Sequence, residues 1–109
     1  MEDTMKFLTL LKFKPLPPDP KMTLAINEGA KAWIKANLAE GSLDCAYNVL
    51  PNAPGYYGLG ISNAASHEAL WKLLTTYPAF AITDFEVYPL SDVYSAVDNV
   101  SDAIRKMME

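Results

Sequence analysis

The stretch from Ser62 to Leu90 decides the fold, and it reads SNAASHEALWKLLTTYPAFAITDFEVYPL. Ser62 or Asn63 is placed to cap a helix, because either side-chain oxygen can accept a hydrogen bond from a free N–H of the first turn. Apolar residues then recur at helical spacing up to Pro78, which cannot continue a helix. The β-branched and aromatic residues from Ile82 to Tyr88 predict a strand that the following proline ends.

The apolar residues of this helix form a wide arc, which is typical of a helix that packs on a sheet. Two overlapping rows make the arc, and their members are His67, Leu70, Trp71, Leu73, Leu74 and Tyr77. In the strand, Phe85 and Val87 face one way, since successive side chains alternate between the two faces. Asp84, Glu86 and Tyr88 face the other way.

Several pieces of the stretch resemble muconolactone isomerase and its relatives, which belong to the dimeric α+β barrel superfamily with its ferredoxin-like fold. The pieces are Asn-Ala, His-Glu-x-Leu, Tyr-Pro-x-Phe and Thr-Asp-Phe-Glu-Val-Tyr-Pro-Leu, all between residues 62 and 90. The resemblance implies a pocket between sheet and helices, within a homodimer or larger ring. It departs at the first strand, where that family has polar residues facing the barrel and this chain has Leu8 and Leu10. That departure predicts a more apolar cleft.

The remaining elements follow in chain order. The pattern predicts strands over residues 5–14, 43–50 and 56–62, and a turn over residues 51–55. It predicts a helix capped by Asp19, with Pro20 at its first position and Gly41 as its stop. A tail helix capped by Ser91 or Asp92 spans about residues 92–108, with an apolar stripe at Val93, Val97, Val100, Ile104 and Met107. The order β-α-β-β-α-β predicts a single ferredoxin-like α+β domain over residues 1–109, with a four-stranded antiparallel sheet and a C-terminal helix.

Two features of the strands bear on a binding site. The first strand is apolar on both faces, so its Leu8 and Leu10 face needs a cover that the two predicted helices cannot supply. A second copy of the chain is the simplest cover, which predicts a homodimer or larger ring. Gly58 and Gly60 fall on one face of the third strand, which leaves space beside the sheet or lets another backbone approach closely.

Composition excludes several classes of protein. The chain has 109 residues, of which 50% are hydrophobic and 20% are charged, and its formal net charge of -4 argues against a nucleic-acid partner. No apolar run is long enough for a membrane span, and no signal peptide is evident. The single cysteine, Cys45, excludes an internal disulfide and fits a cytoplasmic protein. The sequence has no cluster of cysteines or histidines that would predict a metal site, and no phosphate-binding glycine loop that would predict a cofactor.

Four residues are candidates for catalysis. Glu86, Asp84 and Tyr88 share one strand face, where an enclosed carboxylate would have a raised pKa and could act as a base. His67, the only histidine, is a reserve acid or base. Each also has a structural interpretation, namely a solvated or interface-paired sheet face for the first three and a helix residue packed at an interface for His67. Two functions therefore stay open. One is an enzyme acting by proton transfer or cofactor-free oxidation on an apolar or aromatic-derived substrate, and the other is a non-catalytic homodimer that binds a small apolar ligand or supports another protein.

Overall fold

The computed structural model describes residues 4–15, 18–50 and 58–109. Its elements are β1 (Met5–Phe13), α1 (Pro20–Glu40), β2 (Leu43–Asn48), β3 (Gly58–Ala64), α2 (His67–Thr75), β4 (Thr83–Leu90) and α3 (Val93–Met107), with a 3₁₀ turn at Phe80–Ile82 before β4. The strands form one sheet in the order β2-β3-β1-β4, and every neighbouring pair is antiparallel. The predicted fold class is confirmed. The predicted turn at residues 51–55 and the first two residues of the predicted third strand lie outside the described residues.

Helix α1 begins and ends where its sequence predicts. The Asp19 side chain accepts a hydrogen bond from the backbone N–H of Lys21 at 3.0 Å, and Pro20 is the first helical residue. Gly41 closes the helix with a φ of 86°, a left-handed conformation that glycine adopts without a steric penalty. Gly29 lies inside the helix because the helix passes close to Pro78: a Cβ at position 29 would lie 3.3 Å from the Pro78 Cβ.

The predicted start of α2 at Ser62 or Asn63 is wrong, because these residues extend β3. Ser62 pairs with Phe7, and the strand continues to Ala64. Ser66 is the actual cap, and its hydroxyl accepts from the Ala69 N–H at 3.1 Å. The side-chain amide of Asn63 instead donates to Asp44 Oδ1 at 2.7 Å and to the Gly41 carbonyl, which fastens the end of α1 to the sheet.

The predicted end of β4 before Pro89 is also wrong, since the strand runs on to Leu90. Strand β4 lies at the edge of the sheet, next to β1 only. An edge strand tolerates proline because one row of its backbone groups has no ladder partner.

Within the described residues, the sheet has one face covered by α1 and α2, called the covered face, and one face without a helix, called the open face. On the covered face, Phe7 packs with Ala64, Leu70 and Leu74, and a second cluster joins Ala30, Tyr77 and Ala79. The open face has a half-buried apolar centre made by Leu8, Leu10, Leu59 and Ile61. Asp84, Glu86 and Tyr88 flank this centre on β4.

Helix α3 leaves the body of the domain and makes only sparse contact with it. Asp92 caps the helix by accepting from the Ser95 N–H at 2.9 Å, as the sequence predicts. Its apolar stripe is present but exposed, and the members are Val93, Val97, Val100, Ile104 and Met107. Within the described part of the chain, no helix combines the length and apolar character that crossing a membrane requires.

Candidate functional site

A cavity of about 280 Å³ lies between the covered face and the two helices. Its walls are aromatic and aliphatic, formed by Leu11, Phe13, Trp33, Ile34, Leu43, Leu74, Tyr77 and Phe85. The strands β1, β2 and β3 supply its floor, where Thr9, Ala46, Gly60 and Ser62 lie. A cavity of this kind, apolar with a few polar groups, is typical of small-molecule sites.

The floor is open because β3 carries glycines there. Gly58 and Gly60 both line the cavity, which confirms the predicted space beside the sheet. The backbone of the neighbouring strand β2 is also close, since a Cβ at Gly58 would lie 3.3 Å from the Tyr47 carbonyl oxygen. A larger residue at either position would therefore crowd β2 or reduce the cavity.

Two buried hydroxyls on this floor have no hydrogen-bond partner within the described residues. Thr9 is 2% exposed and Ser62 is 1% exposed, and the side-chain oxygen of each is unpaired. A buried polar group without a partner costs stability, so such groups are rare in folded proteins. Sequence reasoning missed both residues. The sequence signal that could have identified Thr9 is its position between Phe7 and Leu11 on a strand face that is otherwise apolar.

Two aromatic side chains in the wall are held in place by defined contacts. The Trp33 and Tyr77 rings meet edge to face with centroids 5.0 Å apart, and Trp33 Nε1 donates to Thr76 Oγ1 at 2.8 Å. Burial raises the pKa of Tyr77 above its ordinary value of 10.0, so its phenol is neutral at physiological pH. The wall therefore supplies apolar surface and no charge at this position.

The three β4 candidates lie together on the open face, as strand alternation predicts. Tyr88 Oη donates to Glu86 Oε2 at 3.0 Å, and this hydrogen bond and the carboxylate charge raise the pKa of Tyr88. Asp84 lies opposite Lys12 in the sheet and forms an ion pair with Lys14 at 3.4 Å. All three side chains are exposed in the single chain.

The structure does not bring His67 to these carboxylates. His67 is the first residue of α2, and its ring centroid lies 5.3 Å from that of Phe7 on the covered side. It lines a small surface groove with Trp71, Val87 and Pro89. The cavity lining, as far as the structure describes it, contains no histidine, carboxylate, lysine or arginine. Throughout residues 4–15, 18–50 and 58–109, no three His, Cys, Asp or Glu side chains are grouped so as to hold a metal ion.

Comparisons with known proteins agree with this architecture. The sequence matches no family model and no curated protein. Among solved structures, the chain is similar to muconolactone isomerase with a TM-score of 0.72 and 24% sequence identity, over 81% of this chain and 90% of that one. At this identity the match establishes the fold alone. The chain therefore has the ferredoxin-like α+β fold of muconolactone isomerase.

Proposed function

We propose that the protein binds a small, largely apolar organic molecule in the cavity between the covered face and the helices. The observation that carries the proposal is the cavity itself, with an aromatic wall and two buried hydroxyls that have no partner in the part of the chain that the structure describes. The cost of burying these hydroxyls is recovered if a ligand oxygen pairs with them. Their position at a concave apolar site fits recognition better than packing.

The test is a titration followed by protein NMR with lactones, quinols and small aromatic acids. Trp33 lines the cavity and Trp71 lies outside it, so their two indole N–H signals form an internal comparison. We expect a ligand to shift the Trp33 signal and to leave the Trp71 signal in place; Trp71→Phe assigns the two signals. Ligands that shift only Trp71 would place binding elsewhere.

A cavity-filling variant makes this test specific. Ala46 lines the floor and lies opposite Gly60, so Ala46→Leu would occupy part of the cavity and abolish binding. Ala36→Leu adds the same atoms at an exposed position of α1 and is the matched control. Binding that survives Ala46→Leu unchanged would contradict the proposed site.

Catalysis is a second candidate function, and the Tyr88–Glu86 hydrogen bond favours it. If a second copy covers the open face, water is excluded from the space beside the Glu86 carboxylate. Glu86 could then remove a proton next to a carbonyl, while Tyr88 turns to donate to the developing enolate oxygen. The substrate would be an apolar or aromatic-derived molecule, and His67 stays a reserve acid or base.

The enzyme hypothesis is tested once a substrate is found in the same set of compounds. Glu86→Gln should lower the rate by about a hundredfold or more, which is within the usual range for loss of a general base. Asp84→Asn is the comparison, because Asp84 shares the face and is paired with Lys14. Full activity in both variants would remove these carboxylates from the mechanism and leave the binding function alone.

We also propose that the chain associates with itself through the open face. Leu8, Leu10, Leu59 and Ile61 form an apolar centre on that face, and neither α1 nor α2 covers it. Helix α3 carries a second exposed apolar stripe, and a helix of 15 residues is marginal in water without packing. A second copy supplies a matching apolar face for both surfaces, which is how isologous dimers are built.

A further inference from the structure

We propose that Thr9 and Ser62 together bind one uncharged oxygen of the ligand, a carbonyl or a phenolic hydroxyl, and that the cavity selects neutral ring compounds over carboxylates. This inference rests on the proposed function of the cavity and names the class of molecule it takes. It is carried by the arrangement of the two hydroxyls and by the charges of the lining.

The two hydroxyls lie at neighbouring positions on one face of the sheet. Thr9 pairs with Gly60 across β1 and β3, and Ser62 lies two residues further along the same strand face. Diagonal positions of this kind lie about 7–8 Å apart, with somewhat less between their Cβ atoms, so two hydroxyls that turn toward each other can both reach one ligand oxygen between them. Each hydroxyl can donate one hydrogen bond, and a carbonyl oxygen can accept two. Gly60 has no side chain and lines the cavity beside both hydroxyls.

The lining favours a neutral ligand. In the described part of the chain, the residues around the cavity include no lysine, arginine or histidine. The phenol of Tyr77 is also neutral at physiological pH, because burial raises its pKa. A carboxylate entering this cavity would lose its hydration and find no positive charge, whereas a carbonyl or phenol needs only the two hydroxyls.

A purely structural floor would be built differently. Valine has nearly the shape of threonine and suits a buried strand position, and alanine would fill the position of Ser62 without a buried oxygen. Two unpaired hydroxyls at diagonal positions are therefore better explained by a ligand than by packing.

The experiment uses three probes with one ring system: naphthalene, naphthol and naphthoate. A cavity of about 150 Å³ holds benzene, so one of 280 Å³ has room for two fused rings. Affinity is measured by calorimetry, and the Trp33 indole N–H signal reports occupancy of the cavity. The wild-type protein is expected to bind naphthol at least about tenfold more tightly than naphthoate at neutral pH, since the carboxylate has no countercharge.

Variants then separate a recognition role from a structural one. In the double variant Thr9→Val/Ser62→Ala, naphthol should bind about tenfold more weakly while naphthalene binds as before, because only naphthol uses the hydroxyls. The ratio of the naphthol affinity to the naphthalene affinity is compared between the wild type and the double variant, because this comparison cancels the different hydration of the two probes. Ser91→Ala removes an exposed hydroxyl outside the cavity and is the matched control.

The outcomes distinguish the inference from the proposed function. If naphthalene and naphthol both bind but lose affinity equally in the double variant, or if naphthoate binds as tightly as naphthol, the cavity is a binding site and the role given to Thr9 and Ser62 is wrong. If none of the three probes shifts the Trp33 signal, the proposed function fails and the inference fails with it.

Discussion

The two faces of the sheet use the same strands for opposite purposes. On the covered face, apolar side chains are buried, and two polar ones, Thr9 and Ser62, have no partner among the described residues. On the open face the reverse holds: Tyr88 pairs with Glu86, Asp84 pairs with Lys14, and the apolar centre lacks a cover. Unpaired polar groups in an apolar cavity suit a small ligand, whereas an uncovered apolar surface with paired polar groups suits another protein chain. This difference is the basis of the proposal that the covered face recognises a small molecule and the open face associates with a second copy of the chain.

The largest expected effect on stability comes from truncating a side chain on the covered face, and the same kind of truncation on the open face is the comparison. Phe7 is fully buried, so Phe7→Ala should lower the free energy of unfolding by about 3–5 kcal/mol, through lost burial and a residual cavity. Leu10→Ala truncates a half-buried side chain on the open face and should cost much less at low protein concentration. Urea denaturation followed by circular dichroism measures both.

Measuring both variants at a second, higher protein concentration shows whether a partner covers the open face. If a partner covers the open face, the cost of Leu10→Ala grows as concentration rises, because association stabilises the folded state by mass action. The cost of Phe7→Ala has no such dependence. Equal costs for the two variants at every concentration would show that the two faces are equally buried and would contradict the difference between them.

A charge on the open face should disrupt self-association. Leu8 lies between Ile61 and Tyr88, so Leu8→Glu places an unpaired carboxylate in the apolar centre. We expect the dissociation constant to rise by at least about a hundredfold, since burying an unpaired charge costs several kcal/mol. Sedimentation equilibrium at micromolar concentration measures the change. Lys35→Glu changes charge on the exposed surface of α1 and is the control.

The same measurement tests the contribution of α3. Val100 lies in the middle of its exposed apolar stripe, and Val100→Glu should weaken assembly if the stripe packs on another copy. A wild-type protein that sediments as a monomer would refute self-association through either surface.

The order of elements and the two faces of β1 were predictable from sequence because they depend on local patterns. Alternation separates Phe7 and Thr9 from Leu8 and Leu10 whatever the sheet order is. The caps of α1 and α3 were predictable for the same reason, since one polar side chain satisfies the first turn. The predicted start of α2 failed because two signals overlap. Ser62 can cap a helix or extend a strand, and pairing with β1, which is distant in sequence, decides between them.

The cavity was only partly predictable. The glycines of β3 indicated space beside the sheet, but they did not reveal which side chains line it, since this depends on how α1 and α2 pack. Thr9 and Ser62 come together only through the register of β1 and β3, which residues 56–62 and 5–14 do not fix by themselves. The sequence pattern indicates a site on β4 because Asp84 and Glu86 are charged, whereas the buried polar groups of the cavity are hydroxyls with no charge.

A smaller effect of opposite sign is expected for the hydroxyls of the covered face. Removing a buried polar atom that has no partner relieves its desolvation cost, so Thr9→Val and Ser62→Ala should each raise the free energy of unfolding of the ligand-free protein by about 1 kcal/mol. Ser91→Ala, on the surface, should leave it unchanged. A loss of stability in both cavity variants would mean that the hydroxyls hold the fold together, and would weaken the contrast between the faces.

The smallest expected effect concerns alkaline pH. Burial raises the pKa of Tyr77 above 10.0 in the folded protein, so its neutral form is favoured there relative to the unfolded chain. Its contribution to stability is therefore complete below about pH 10 and is lost as the pH rises through the folded-state pKa. Tyr77→Phe removes this titration, and the free energy of unfolding should fall less steeply above pH 10 than in the wild type.

Urea denaturation in buffers from pH 8 to pH 12 measures the slope, and Tyr94→Phe on the exposed surface of α3 shows the general effect of losing one phenol. If Tyr77→Phe and the wild type lose stability in parallel above pH 10, the Tyr77 phenol is not held in an apolar wall, and the neutral lining inferred for the cavity loses one of its supports.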